Sequence, residues 1–248
     1  MVKDSISAIS PGWPTNWPKD SFKGFWTWFL AVSITLLFVF ILVLQIVFPP
    51  PTKVTAEQLN ELLILQLILD ALLVAIVLLA LPRLSKLRLR DLGFRVPDGM
   101  TLLIAVAGAV GMFVAADGTA ILINYVFHAA HQQDIVQIFR GLHDRTTIGL
   151  FAFFAIVLAP FAEEALFRIF FFNLGMRYGG FWVGAVVSGL LFGIAHGDPF
   201  EVIPLALGGM VLCGVYYITR NAYASMISHA LFNSISIFAL LFAPQLTQ

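Results

Sequence analysis

The sequence predicts an all-α membrane bundle of about seven helices (six to eight), and two observations carry that expectation. The 248 residues are 60% hydrophobic and only 11% charged, with a mean hydropathy of +0.92, whereas a soluble domain has about 25% charged residues. The apolar residues also gather into runs long enough to cross a bilayer core, which takes about 20 helical residues. Nothing in the pattern asks for strands.

The first run, FWTWFLAVSITLLFVFILVLQIVF from residue 25 to 48, carries no charge. It is longer than a secretory core segment and ends in Pro49-Pro50-Pro51 without a small-residue cleavage site, so it reads as a retained span. Six more spans follow at 59–82, 101–127, 148–176, 181–197, 201–219 and 222–242, each bounded by charges or by Gly and Pro breakers. Between the second and third lie Arg83, Lys86, Arg88, Arg90 and Arg95 against Asp91 and Asp98, and the tail 1–24 adds Lys3, Lys19 and Lys23. The positive-inside rule puts both on the cytoplasmic side, with one integral domain over 25–248. Counting onward, the 128–147 segment with His128, His131, His143, Arg140 and Arg145 falls outside, with room for a short surface helix. The turns at Arg177 and Arg220 fall inside.

Formal net charge is zero, so no nucleic-acid partner is expected. The single cysteine, Cys213, excludes an internal disulfide and a thiolate metal cluster.

Ionisable groups inside spans are costly and mark function by default. Three signatures stand out: Glu163-Glu164-Ala165-Leu166-Phe167-Arg168, then Phe192-Gly193-Ile194-Ala195-His196, then His229-Ala230-Leu231-Phe232-Asn233. At a helical rise of 1.5 Å per residue, Glu163 lies about 21 Å from the cytoplasmic end of its span, His196 about 22 Å, and His229 and Asn233 about 10 and 17 Å. The signatures are therefore able to meet at one depth.

Glu164 and Arg168 share a helix face and are placed to neutralise each other. Glu163 is rotated about 100° away, with no partner on its own helix, and is the better reactive carboxylate of the two. Pro160 removes a backbone donor just upstream and kinks the helix. His196 ends an apolar run at Gly197-Asp198-Pro199, with Phe192 one turn earlier to position its ring. His229 and Asn233 share a face and suit a developing oxyanion. Each signature also has a plainer reading: an ion cluster, a solvated helix cap, and an interhelical hydrogen bond. Asp70, Asp117 and Asn124 also lie within spans; the two aspartates are read as having no partner within one turn and stay outside the catalytic set. A HExxH metal site, a GxGD aspartyl motif and a GxSxG elbow are all absent.

Taken together, EExxxR, FxxxH and HxxxN in this order resemble the CPBP (Abi) family, which includes the type II CAAX prenyl endopeptidases. The resemblance covers residues 148–242. It implies an intramembrane glutamate protease in which Glu163 is the general base, His196 shares in activating water, and His229 with Asn233 steadies the oxyanion. Glu164, Arg168 and Phe192 would support them. No cofactor is required on this reading. A divalent metal such as zinc, held by Glu163, His196 and His229, ranks second.

The expected activity is hydrolysis of a peptide bond near the carboxyl terminus of a membrane-associated protein or peptide, prenylated (CAAX-type) or not, with the lipid bilayer as the other partner. The rival readings are a non-proteolytic scaffold or immunity protein on the same fold, and a proton-coupled transporter.

Overall fold

The computed structural model describes residues 25–47, 55–85, 87–127, 139 and 144–242. The tail 1–24, Pro49-Pro50-Pro51, and His128, His131, Arg140 and His143 of the expected outer segment lie outside those residues. Among the described residues all regular structure is helical: α1 (Phe25–Val47), α2 (Ala56–Ala75), α3 (Leu81–Ser85), α4 (Gly99–Met112), α5 (Gly118–Phe127), α6 (Arg145–Phe153), α7 (Ala159–Glu164), α8 (Asn173–Ala195), α9 (Val202–Thr219) and α10 (Ala222–Phe242), plus a 3-10 turn at Leu89–Leu92. Wider π-helical segments join several of these end to end: Ile76–Ala80, Phe113–Asp117, Phe154–Leu158 and Ala165–Phe172. The resulting rods include Glu57–Leu84, Gly99–Phe127 and Arg145–Ala195.

The last rod is 51 residues long, yet it is two spans. Gly180 sits at φ 74°, ψ −171°, a backbone shape that other residues avoid, and it breaks the rod where the sequence separates 148–176 from 181–197. With that break the described residues hold the seven expected spans. The protein is an integral membrane protein.

Local chemistry sets the helix starts. Thr55 and Gln58 form a reciprocal capping box at α2. Asp98 accepts from Thr101 N at 2.7 Å to open α4, and Asp144 accepts from Thr147 N and Oγ1 at 2.7 and 2.8 Å to open α6. Between α9 and α10 the turn is made by Arg220 in the left-handed region, and Asn221 Oδ1 accepts from Tyr223 N at 2.9 Å.

The faces turned away from the bundle carry exposed Leu36, Phe40, Ile64, Ile68, Leu103, Val114 and Ile121, as lipid-facing helices should. Inside, packing relies on close backbone approach, because lipid tails offer no hydrophobic drive between helices. The helix pair α8 and α9 meets through Gly189 and Gly193 on one side and Ala206 and Gly209 on the other. A Cβ at Gly193 would collide with the Val202 carbonyl oxygen.

One end of the bundle is tied together by hydrogen bonds. Tyr216 Oη donates to Leu92 O at 2.9 Å, Ala222 N donates to Gly93 O at 2.9 Å, and Asn221 Nδ2 donates to Arg95 O at 2.9 Å. The basic 87–98 segment and the Arg220 turn thus lie on the same face of the membrane, as the alternation of spans requires.

Candidate active site

The site is assembled around α7 and the π segment Ala165–Phe172, whose eight residues are all buried. A π turn leaves carbonyls out of the ordinary ladder, and polar side chains from neighbouring positions answer them. Ser188 Oγ donates to Phe167 O at 2.7 Å, and Asn173 Nδ2 donates to Ile169 O at 3.0 Å and to Arg168 O at 3.3 Å. Segments of this kind recur at functional sites because they re-aim side chains.

Glu164 and Arg168 lie wholly inside the protein and pair at 2.9 Å (Oε1 to Nη1). Arg168 Nη2 also donates to Gly209 O at 3.2 Å, and its guanidinium lies 4.5 Å from the Phe192 ring centroid. Gly209 is where it is because a side chain there would sit 3.3 Å from both Arg168 Nη2 and Phe192.

His229, on α10, reaches both acids. Its Nδ1 is 3.1 Å from Glu164 Oε1 and its Nε2 is 3.7 Å from Glu163 Oε2. Glu164 is ionised against Arg168, and an ionised carboxylate only accepts, so the hydrogen lies on Nδ1. The neutral ring then presents Nε2 as an acceptor towards Glu163, and the charged ring presents it as a donor. Glu163 is the more exposed acid of this group, its side chain 28% exposed against 1% for Glu164. Its Oε2 has no hydrogen-bond partner among the described residues.

His196 caps α8, followed by Gly197 at φ 75°. Its Nδ1 is 2.8 Å from Phe192 O. A carbonyl only accepts, so Nδ1 donates and the neutral ring leaves Nε2 as an acceptor. The Phe192 ring lies between the two histidines, 4.7 Å from the His196 ring and 5.5 Å from the His229 ring, edge-on to each. It is the spacer of the site.

Asn233 follows His229 by one turn, but its amide goes elsewhere. Nδ2 donates to Ala155 O, on the π segment before α7, at 2.7 Å. Among the described residues no three His, Cys, Asp or Glu side chains are grouped to hold a metal ion.

Asp70, left aside for want of a partner within one turn, has one in Gln66, four residues earlier, whose Nε2 donates to Asp70 Oδ1 at 2.9 Å. Asp117 ends the π segment Phe113–Asp117. Sequence reasoning missed Gly209, Ser188 and Asn173 as supports of the π segment. No local spacing signals these three; Pro160 announces only an unpaired carbonyl about one turn upstream of itself, the level at which Asn233 meets Ala155 O.

Residues 145–235, which include all seven motif residues, match the family model described as Rce1-like, type II CAAX prenyl endopeptidase Rce1-like. The chain is 31% identical over 105 residues to the membrane-embedded CAAX protease MroQ of Staphylococcus aureus (strain USA300), covering 40% of this chain and 42% of that protein. It is 25% identical over 162 residues to a Bacillus subtilis (strain 168) protein named "Putative membrane peptidase YdiL", covering 64% of each. The chain thus spans less than two thirds of the length of either relative. No solved structure matches it. The resemblance read from the three motifs is borne out by the family match.

Proposed function

We propose that this membrane protein, with its Rce1-like segment over residues 145–235, is an intramembrane endopeptidase that hydrolyses a peptide bond near the carboxyl terminus of a membrane-associated, lipidated or prenylated substrate. The observation that carries the reading is Glu163, the half-buried acid of a group whose other members are locked: Glu164 by Arg168, and the His229 hydrogen by Glu164. Such an arrangement holds one adaptable proton acceptor among fixed partners.

In the proposed reaction, water lies between Glu163 and His196. Glu163 takes one proton as the water oxygen bonds to the scissile carbonyl carbon, and His196 Nε2 accepts the hydrogen bond that orients the other. The carbonyl electrons move to oxygen, and the oxyanion is met by His229 in its Nε2-protonated form. Collapse of the intermediate breaks the C–N bond, and Glu163 returns its proton to the leaving amine. A free carboxyl end and a free amine result, with no net change in enzyme protonation. Asn233 we give a positioning part rather than a place on the oxyanion. No metal is required by this scheme. A lipid tail on the substrate would hold it beside the bundle while the peptide enters, and the basic 87–98 face is taken as cytoplasmic.

The test is cleavage of a peptide panel, prenylated CAAX peptides included, in proteoliposomes with and without a chelator, read by mass spectrometry. Wild type should cleave in both conditions, while Glu163→Ala and His196→Ala should each lose at least about a hundredfold in turnover with folded protein retained. Near-normal turnover in either variant would remove that residue from the mechanism. Cleavage abolished by the chelator would favour the metal reading.

A further inference from the structure

The bond between Asn233 and Ala155 carries a consequence for the site. In the π segment Phe154–Leu158, Ala159 N–H donates to Phe154 O, five residues back. In that register the next donor, due at Ala155 O, is residue 160, which is proline and has no N–H. In ordinary α register the donor would be Ala159 N–H, which Phe154 has already taken. Both helical donors for Ala155 O are therefore gone. In their place Asn233 Nδ2 donates at 2.7 Å from α10.

We infer that Asn233 is a positioning residue that supplies, from another helix, the hydrogen bond Pro160 cannot make, and so holds the bulge that sets the direction of Glu163. The reach is short: Glu163 lies three residues beyond Pro160 on α7. If the bulge relaxed to α register, Ala159 N–H would return to Ala155 O and one residue of phase would be lost, turning everything downstream by about 100° relative to the upstream span. Glu163 would then leave His229. Two side chains thus join α10 to the span bearing the acids at two levels, His229 to Glu163 and Glu164, and Asn233 to the backbone ahead of them.

The assignment differs in kind from an oxyanion donor, because a donor restored to the backbone should replace it. In Asn233→Ala the carbonyl is orphaned. Adding Pro160→Ala returns an N–H at position 160, in register for Ala155 O. Both variants, the double variant and wild type are compared by thermal unfolding midpoint in detergent and by turnover in proteoliposomes. Asn233→Ala should lower the midpoint and reduce turnover about tenfold or more, and the double variant should recover most of both. A double variant no better than Asn233→Ala in either readout would overturn the inference.

Only the turnover arm rests on the proposed protease activity. If wild type cleaves nothing, that reading fails while the midpoint arm still decides whether Asn233 closes the Ala155 carbonyl.

Discussion

The Glu164 carboxylate oxygen that pairs with Arg168 also lies 3.1 Å from His229 Nδ1, so a buried ion pair decides which face of an imidazole carries its hydrogen. The pair is therefore part of the proton arrangement of the site as well as of its packing.

Breaking this pair from one side should be far worse than removing it. Glu164→Gln leaves the wholly buried Arg168 without its counter-charge, and loss of one partner of such a pair costs about 3–5 kcal/mol. Glu164→Leu with Arg168→Met, neutral at both positions, should keep more folded protein than either single change, by thermal midpoint in detergent. Charge reversal should not rescue. A carboxylate at 168 would meet the Gly209 carbonyl and the face of Phe192, which suit a cation only.

Gly193→Ala should loosen the α8–α9 contact. The added methyl meets the Val202 carbonyl oxygen, which belongs to backbone and yields only if the helices part. Overpacking of this kind costs about 1–3 kcal/mol. Gly214→Ala, where a methyl meets nothing within 4 Å, is the matched control. Equal midpoints for the two variants would refute the close-approach argument.

Acid should weaken the start of α6. Asp144, outside the span, accepts from Thr147 N–H and then from its hydroxyl, and these bonds hold its carboxyl below the usual carboxylate range. A carboxyl lowered by folding contributes stability that is present in full above its unfolded value of about 3.9 and is lost as pH falls through the lower folded value. Wild type should therefore lose midpoint on acidification below about pH 4 more steeply than Asp144→Ala. Parallel curves would show that the cap contributes nothing. Above that range Asp144→Ala should sit lower by a few degrees, in keeping with loss of an N-cap.

The helices were legible because the bilayer imposes a length, and runs such as residues 222–242 answer it almost residue for residue in α10. The Glu164–Arg168 pair was legible because both partners stand on one helix, four residues apart. The contact of His229 with Glu164 spans 65 residues of chain, and no local spacing announces it. Asn233 shows the limit most clearly. Its position one turn from His229 suggested a shared target, but the choice was made by a carbonyl on another helix, freed by the proline at 160. Spacing reports which residues share a face, and it does not report which backbone group on a neighbour has lost its partner.

The π segments bear on how this chain can vary in length. Each holds one residue more than an α-helix needs at that point, so the helix before it and the helix after it are out of step with each other. A substitution on a lipid-facing position leaves that phase difference untouched. Deletion of a single residue within Ala165–Phe172 cancels it and carries Asn173 off the carbonyls of Arg168 and Ile169. The tolerance of these spans is thus opposite to that of a surface loop: permissive towards the identity of many side chains and strict about their number.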